Sequence, residues 1–316
     1  MNEKILAGLW VVFVVASCGE RIGVETLDVV RIDSLIYDSS VDIDGIRSIA
    51  PLFFPDDYND TMLCKERTDT LMCEAYGAVK ERYDKKAIDD ISGECASVFY
   101  RYRAFFPDVP YPTLYTCMSH WDFNDPILYV ESENILVVYL DLFLGAENKL
   151  YQGIYDYIRH RMDIKNVGSV LSQHLSQMMV GDRDGYRLVD YVVHYGKVLY
   201  LKSLLLDTDD DKKVLDYTDE EYHRAVSIER EVWDYFLRQG LLFTASRDYG
   251  PRFFDVAPYS VFYTANDKSI PWGIGRYVGY NMVKSYMDSN PRCSIDALVS
   301  MPSDTLLRYS GYNPHL

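Results

Sequence analysis

The chain is short of positive charge: 32 lysines and arginines face 48 aspartates and glutamates, a net charge of −16 at pH 7. An acidic body repels phosphate backbones and anionic headgroups, so nucleic acid is excluded as a partner and so is a polybasic membrane patch. Beyond one run near the N-terminus, no apolar stretch approaches the roughly 20 residues that span a bilayer. The six cysteines include no CxxC pair and no Cys/His cluster with zinc-finger spacing. Serine nucleophile elbows of the GxSxG type are missing. Gly196-Lys197 lacks the upstream glycine and the following Ser/Thr of a P-loop. The window Gly273-Ile274-Gly275-Arg276-Tyr277-Val278-Gly279 follows Pro271-Trp272 rather than a strand and is one residue too long for a dinucleotide fingerprint. Its glycines suit close helix packing instead. Internal repeats and low-complexity linkers are also missing.

What is present begins with a core: 48% of the 316 residues are hydrophobic, enough for one large globular domain. Lys4 opens a short basic region, residues 5–16 form an almost unbroken apolar run, and Val15-Ala16-Ser17-Cys18 places small residues before a cysteine. A run of about twelve apolar residues is too short to span a bilayer, so this is read as a lipoprotein signal peptide over residues 1–17. Cleavage before Cys18 leaves that residue lipidated, and three acyl chains make a stable anchor where one would be marginal. It also removes Glu3 and Lys4, so the mature charge stays at −16. Residues 18–23 read as a lipidated tether and residues 24–316 as the folded domain. No acidic run follows Cys18, which favours a periplasm-facing position.

The periodicity describes a mostly helical α+β domain. Residues 24–37 read as a strand, and residues 61–82 and 86–106 as two amphipathic helices with apolar steps of three and four. Between 112 and 142 the period shortens to three β-rich runs, and Ser132-Glu133-Asn134 joins the last two as a hairpin. Helices are expected near 149–161, 166–180, 185–206, 218–238 and 272–289. Thr218 followed by Glu220 and Glu221 reads as a capped start matched to the helix dipole. The expected architecture is a single domain of helices packed on a small, mainly antiparallel sheet. The 28 tyrosines fall mostly within these helices, where half-buried packing suits an amphipathic ring.

His174 invites comparison with a zincin helix, which needs two histidines at i and i+4 with a glutamate between them. Here the corresponding positions are His174, Leu175 and Met178, and the later Glu-Gly is replaced by Tyr195-Gly196. No metal and no cofactor is expected on this ground.

Several segments together resemble a known family. They are Leu140-Asp141-Leu142-Phe143-Leu144-Gly145 with Tyr151, then Tyr195-Gly196-Lys197-Val198-Leu199-Tyr200, Glu231-Val232-Trp233 and Ala257-Pro258-Tyr259-Ser260-Val261-Phe262. Gly279 to Met287 completes the series. Their order and spacing resemble the gliding motility lipoprotein GldB family across most of the mature chain. The resemblance implies a lipid-anchored component of the gliding machinery and its associated secretion system, with no catalytic residues. At greater distance the layout resembles predicted HExxH zinc proteases with the motif lost, which implies a degenerate zincin-like (gluzincin-type) fold. A binding groove is expected near Asp141, Gly145, Tyr151, His174, Tyr195, Gly196, Lys197 and Tyr200, with Lys197 and Asp141 approaching each other or lining one cavity. The expected partners are the membrane, through the anchor, and another envelope protein. Two rival readings are a residual metallopeptidase using His174 and His194, and a glycan-binding lipoprotein with tyrosines and tryptophans stacked on sugars.

Overall fold

A computed structural model describes residues 26–123 and 125–315. The signal peptide, Cys18 and the tether lie outside the described residues. The structure is mostly helical with one small sheet.

The chain enters through β1 (Val29–Arg31) and turns at once into α1 (Ile32–Tyr37). Among the described residues, the apolar stretch 24–37 is therefore strand only at 29–31, a correction to its reading as one strand. Ile32 and Ile36 are four residues apart and both buried, so their spacing is helical as well as β-branched. Helices α2 (Ile43–Ile49), α3 (Asp60–Thr68) and α4 (Thr70–Arg82) follow, α4 being capped by the Asp69 side chain on Met72 N. That cap divides what the periodicity presents as a single helix. Helix α5 (Lys85–Phe105) then runs unbroken, with Ser92 buried in it and donating to Leu27 O.

Strands β2 (Thr113–Cys117), β3 (Ile127–Val130) and β4 (Ile135–Tyr139) complete a sheet in the order β1-β2-β4-β3. The hairpin between β3 and β4 closes with Asn134 at φ 52°, a left-handed position that asparagine tolerates. The sheet is mixed rather than mainly antiparallel: β1 with β2 and β2 with β4 are parallel, and only β3 with β4 is antiparallel. Five helices separate β1 from β2, a crossover long enough to return the chain in the same direction. Strand β4 is apolar on both sides because both are covered. Leu136 and Val138 face one core with α4 and α5, while Ile135 and Val137 face another with α1 and α2.

Beyond β4, the stretch 149–161 is mainly short turns, with one helical turn, α6 (Asp156–Arg159), in place of the expected helix. Helices α7 (Val167–Val180) and α8 (Leu188–Leu206) match the expected positions. After α9 (Asp211–Leu215), α10 (Asp219–Arg238) starts at a capping box in which Thr218 and Glu221 satisfy each other's backbone N–H. Helices α11 (Ile274–Ser289), α12 (Ile295–Ser300) and α13 (Ser303–Tyr309) finish the chain. Helix α8 joins the two halves, packing on α7 towards the sheet and on α11 towards the C-terminal helices. Where it crosses α11 the backbones nearly touch, and Gly196 and Gly279 face each other there. The glycine-rich window serves helix packing, as its sequence context suggests.

Candidate functional site

A cleft of about 270 Å³ opens between the sheet and α7, close to the lower end of the range for small-molecule pockets. Val170, Gln173, His174 and Gln177 line one wall. Their spacing of i, i+3, i+4 and i+7 is one face of a helix. The opposite wall is the start of β3, with Asp125, Pro126 and Ile127. Leu142, Phe143, Ile158 and Met162 supply apolar surface, and Arg161 and Arg276 bring two guanidinium groups.

Strand β3 lies at the edge of the sheet, so its outward N–H groups need partners. His174 meets one of them: its Nε2 accepts from the Tyr129 N–H at 3.3 Å. Burial pushes the His174 pKa down, against the pull of Asp125. The ring is therefore a neutral acceptor at pH 7, with its proton on Nδ1.

The two arginines sit above a buried charge cluster. Lys202, with no exposed side-chain surface, donates to Asp216 Oδ2 at 2.8 Å, while Ser169 Oγ donates to Oδ1 at 2.6 Å. Arg161 Nη2 reaches the same Oδ2 at 3.4 Å. Burial alone would raise the Asp216 pKa, but Lys202 and Arg161 hold the carboxyl below its ordinary value. Burial lowers the Lys202 pKa despite that partner, and Arg161 and Arg276 add to the shift. Arg276 stacks its guanidinium 4.7 Å from the Tyr195 ring centre and 5.4 Å from that of Trp272, and its Nε donates to Phe254 O. Two cations, Lys202 and Arg161, thus pair with one carboxylate.

The structure divides the sequence-predicted residues between different places. Asp141 is fully buried and its carboxylate accepts from Ser119 N and Oγ at 2.8 and 2.7 Å. Tyr151 donates to Asp141 O at 2.7 Å and accepts from Leu144 N at 2.9 Å, and Tyr83 donates to Phe143 O at 2.7 Å. Gly145, at φ 105°, takes the turn that follows. These residues tie down the loop whose Leu142 and Phe143 border the cleft. Lys197 points elsewhere, donating to Val299 O and Met301 O at 2.8 and 2.7 Å. Lys197 and Asp141 share no partner and neither lines the cleft, so the structure does not bring them together. Gly196 lies at the α8–α11 crossing, and Tyr200 packs against the C-terminal core. Tyr195 reaches the site indirectly, its ring between Phe254 and Arg276. Of the predicted residues only His174 lines the cleft directly. Arg161, Gln173, Gln177 and Arg276 were not singled out from the sequence, although Arg276 lies inside the glycine-rich window.

His174 and His194 belong to different neighbourhoods. His194 packs edge-on against Tyr195, and burial, with Arg183 and Lys197 nearby, pushes its pKa down to about 4. Among the described residues, no three His, Cys, Asp or Glu side chains converge as metal ligands. The His194 shift has a consequence for stability. Its folded pKa lies below the unfolded value of about 6.5, so the neutral ring contributes fully above pH 6.5. That contribution falls as the pH drops and is lost below about pH 4. Up to about 3 kcal/mol is at stake. In thermal melts from pH 7 to pH 4, His194→Gln should flatten the acid limb relative to wild type; superimposable limbs would show that the ring protonates freely.

Of the five cysteines within the domain, Cys95 and Cys117 are buried, as their small apolar character suggests, whereas Cys64 and Cys73 are exposed. The tyrosine excess is largely structural. Tyr217 donates to Trp272 O, Tyr280 to Asp211, and Tyr277 and Tyr312 to Glu229, which joins the C-terminal helices.

Fold and cleft together define a mostly helical α+β domain with a cation-lined groove beside an edge strand, and no described helix is long and apolar enough to cross a membrane. The chain belongs to the GldB family: the family model described as gliding motility protein GldB matches residues 20–314. It is a lipoprotein family of gliding motility. No curated protein and no solved structure matches the chain.

Proposed function

We propose that the protein is a lipid-anchored, periplasm-facing component of the gliding machinery or its associated secretion system. It acts without catalysis, by docking a segment of another envelope protein in the cleft between β3 and α7. Cys18 carries the anchor, and residues 24–316 form the docking domain. The observation that carries this reading is the placement of the cleft. An edge strand, one face of a helix and two arginines converge on a groove of ligand size. Its only imidazole, His174, is already engaged as an acceptor by the strand backbone. A histidine spent in this way supports binding rather than proton transfer.

The test is photo-crosslinking from the full-length lipidated chain in its native envelope. A benzophenone side chain replaces Gln177 in the cleft or, as a control, the exposed Tyr309 on α13. The expected result is capture of one defined envelope protein from position 177 and not from 309. Equal capture from both positions, or none from 177, would overturn the docking role. Casein hydrolysis by the purified protein that disappears in His174→Ala would overturn the non-catalytic reading.

A further inference from the structure

The cleft offers more positive charge than its surroundings neutralise. Asp216 pairs with Lys202 and Arg161, and the one acid on the cleft wall, Asp125, stands on the β3 side. Arg276 commits its Nε to Phe254 O, and Arg161 commits a single Nη2 to Asp216 at a long 3.4 Å. Among the described residues, the remaining guanidinium donors have no protein acceptor. Both guanidiniums lie near the Trp272 ring, at 5.8 Å for Arg161 and 5.4 Å for Arg276, and both line the cleft. Gln173 is a second, independent sign. Its Nε2 is buried without a hydrogen-bond partner on the wall of the same cleft. A buried donor left unpaired costs about 1–3 kcal/mol and calls for an acceptor.

The edge strand adds direction. Tyr139 N donates to Pro126 O, so residues 126 and 128 turn their backbone groups towards β4. Ile127 and Tyr129 therefore turn theirs outward. His174 takes the Tyr129 N–H, while the Ile127 N–H faces the cleft. Backbone N–H, amide donor and paired guanidiniums suit an extended chain carrying an anionic group. Planar forks held over aromatic rings match a planar carboxylate bidentately, the geometry that distinguishes arginine from lysine.

We propose that the cleft binds an extended peptide segment bearing a carboxylate, with the carboxylate held by Arg161 and Arg276 and a backbone carbonyl by Gln173. The inference rests on the reading that the cleft docks a partner chain, and it specifies the partner's chemistry as acidic. An acidic protein thus keeps a cationic site for an acidic segment, within a surface that repels such segments elsewhere.

The test measures fluorescence anisotropy with the purified full chain and two labelled peptide pools. One pool alternates Val, Ile or Leu with Asp and ends in a free carboxylate; the other replaces Asp by Asn and ends in an amide. The acidic pool is expected to bind saturably and at least tenfold more tightly than the neutral one. Arg161→Gln should remove that preference. Gln173→Glu, which places a carboxylate on the cleft wall and removes the donor to the backbone carbonyl, should abolish the preference while weakening both pools, and carries the test if Arg161→Gln does not fold. Equal binding of the two pools, no saturable binding, or a preference indifferent to both variants would overturn the proposal. If position 177 still captures an envelope protein while the pools bind equally, docking stands and the carboxylate assignment falls. An arginine-dependent preference with no capture at position 177 reverses that outcome.

Discussion

Gly279→Ala should be among the most damaging single-methyl changes in the protein, lowering stability by about 4 kcal/mol or more. On an isolated helix the same change would help, since alanine exceeds glycine in helix propensity by about 1 kcal/mol. Here the added Cβ would lie 2.1 Å from Val192 O, and the reciprocal Cβ at Gly196 would lie 2.3 Å from Gly279 O. Both obstacles are backbone, which cannot rotate aside as a side chain can. Relief requires α8 and α11 to separate, and α8 also packs on α7, so the displacement would reach the cleft wall. For a domain of this size the expected drop in thermal midpoint is about 10 °C. Gly77→Ala is the matched control, because nothing lies within 4 Å of a Cβ at that exposed position in α4. It should raise stability by about 0.5–1 kcal/mol. A Gly279→Ala melt matching wild type would mean that the two helices do not cross this closely.

Much of the fold could be read from the sequence because burial writes a period into it. Helices α5, α7, α8, α10 and α11 each place apolar residues at steps of three and four, and each was expected close to where it lies. The β3–β4 hairpin was legible from its turn. Helix α1 was not: six residues are too few to separate a helical stripe from strand alternation when isoleucines serve both. The parallel pairing of β1, β2 and β4 was hidden for another reason. Local pattern records which face of a strand is buried and not which neighbour it meets.

The site was less legible than the fold. The segments Leu140-Asp141-Leu142-Phe143-Leu144-Gly145 and Tyr195-Gly196-Lys197 hold a loop and a helix crossing in place. Lys197 spends its hydrogen bonds on backbone carbonyls, and Asp141 spends its own on Ser119. The cleft is instead made by residues from stretches far apart in sequence: Asp125 and Ile127, Arg161, the α7 face and Arg276. An ion pair carries no periodic signature, and Asp216 is 55 residues from Arg161. Only the zincin comparison pointed at α7, through His174, and it did so for a chemistry that the surrounding residues do not complete.

Asp216→Asn should be the most damaging isosteric change, at about 3–5 kcal/mol, because it removes the carboxylate of a buried pair and leaves the cations in place. Among the described residues, Asp216 is the only ion-pair partner of Lys202, whose side chain has no exposed surface. Asparagine keeps the shape and tolerates the left-handed backbone at φ 55°, where the residue ends α9. The loss therefore measures charge rather than conformation. Lys202→Met alone should cost less, since Asp216 keeps Arg161 and Ser169 as partners. Adding Lys202→Met to Asp216→Asn should restore about 2 kcal/mol or more, since the stranded ammonium is then gone. Urea unfolding of the four chains in this double-mutant cycle supplies the measurement; strictly additive losses would show that the pair is hydrated and the cluster uncoupled. The direction of that coupling also bears on the cleft. Arg161 is the one cation that touches both Asp216 and the groove, so neutralising Asp216 frees its charge for a ligand. Asp216→Asn should accordingly bind the acidic peptide pool more tightly than wild type even as it folds less stably, a trade that a purely structural ion cluster would not make.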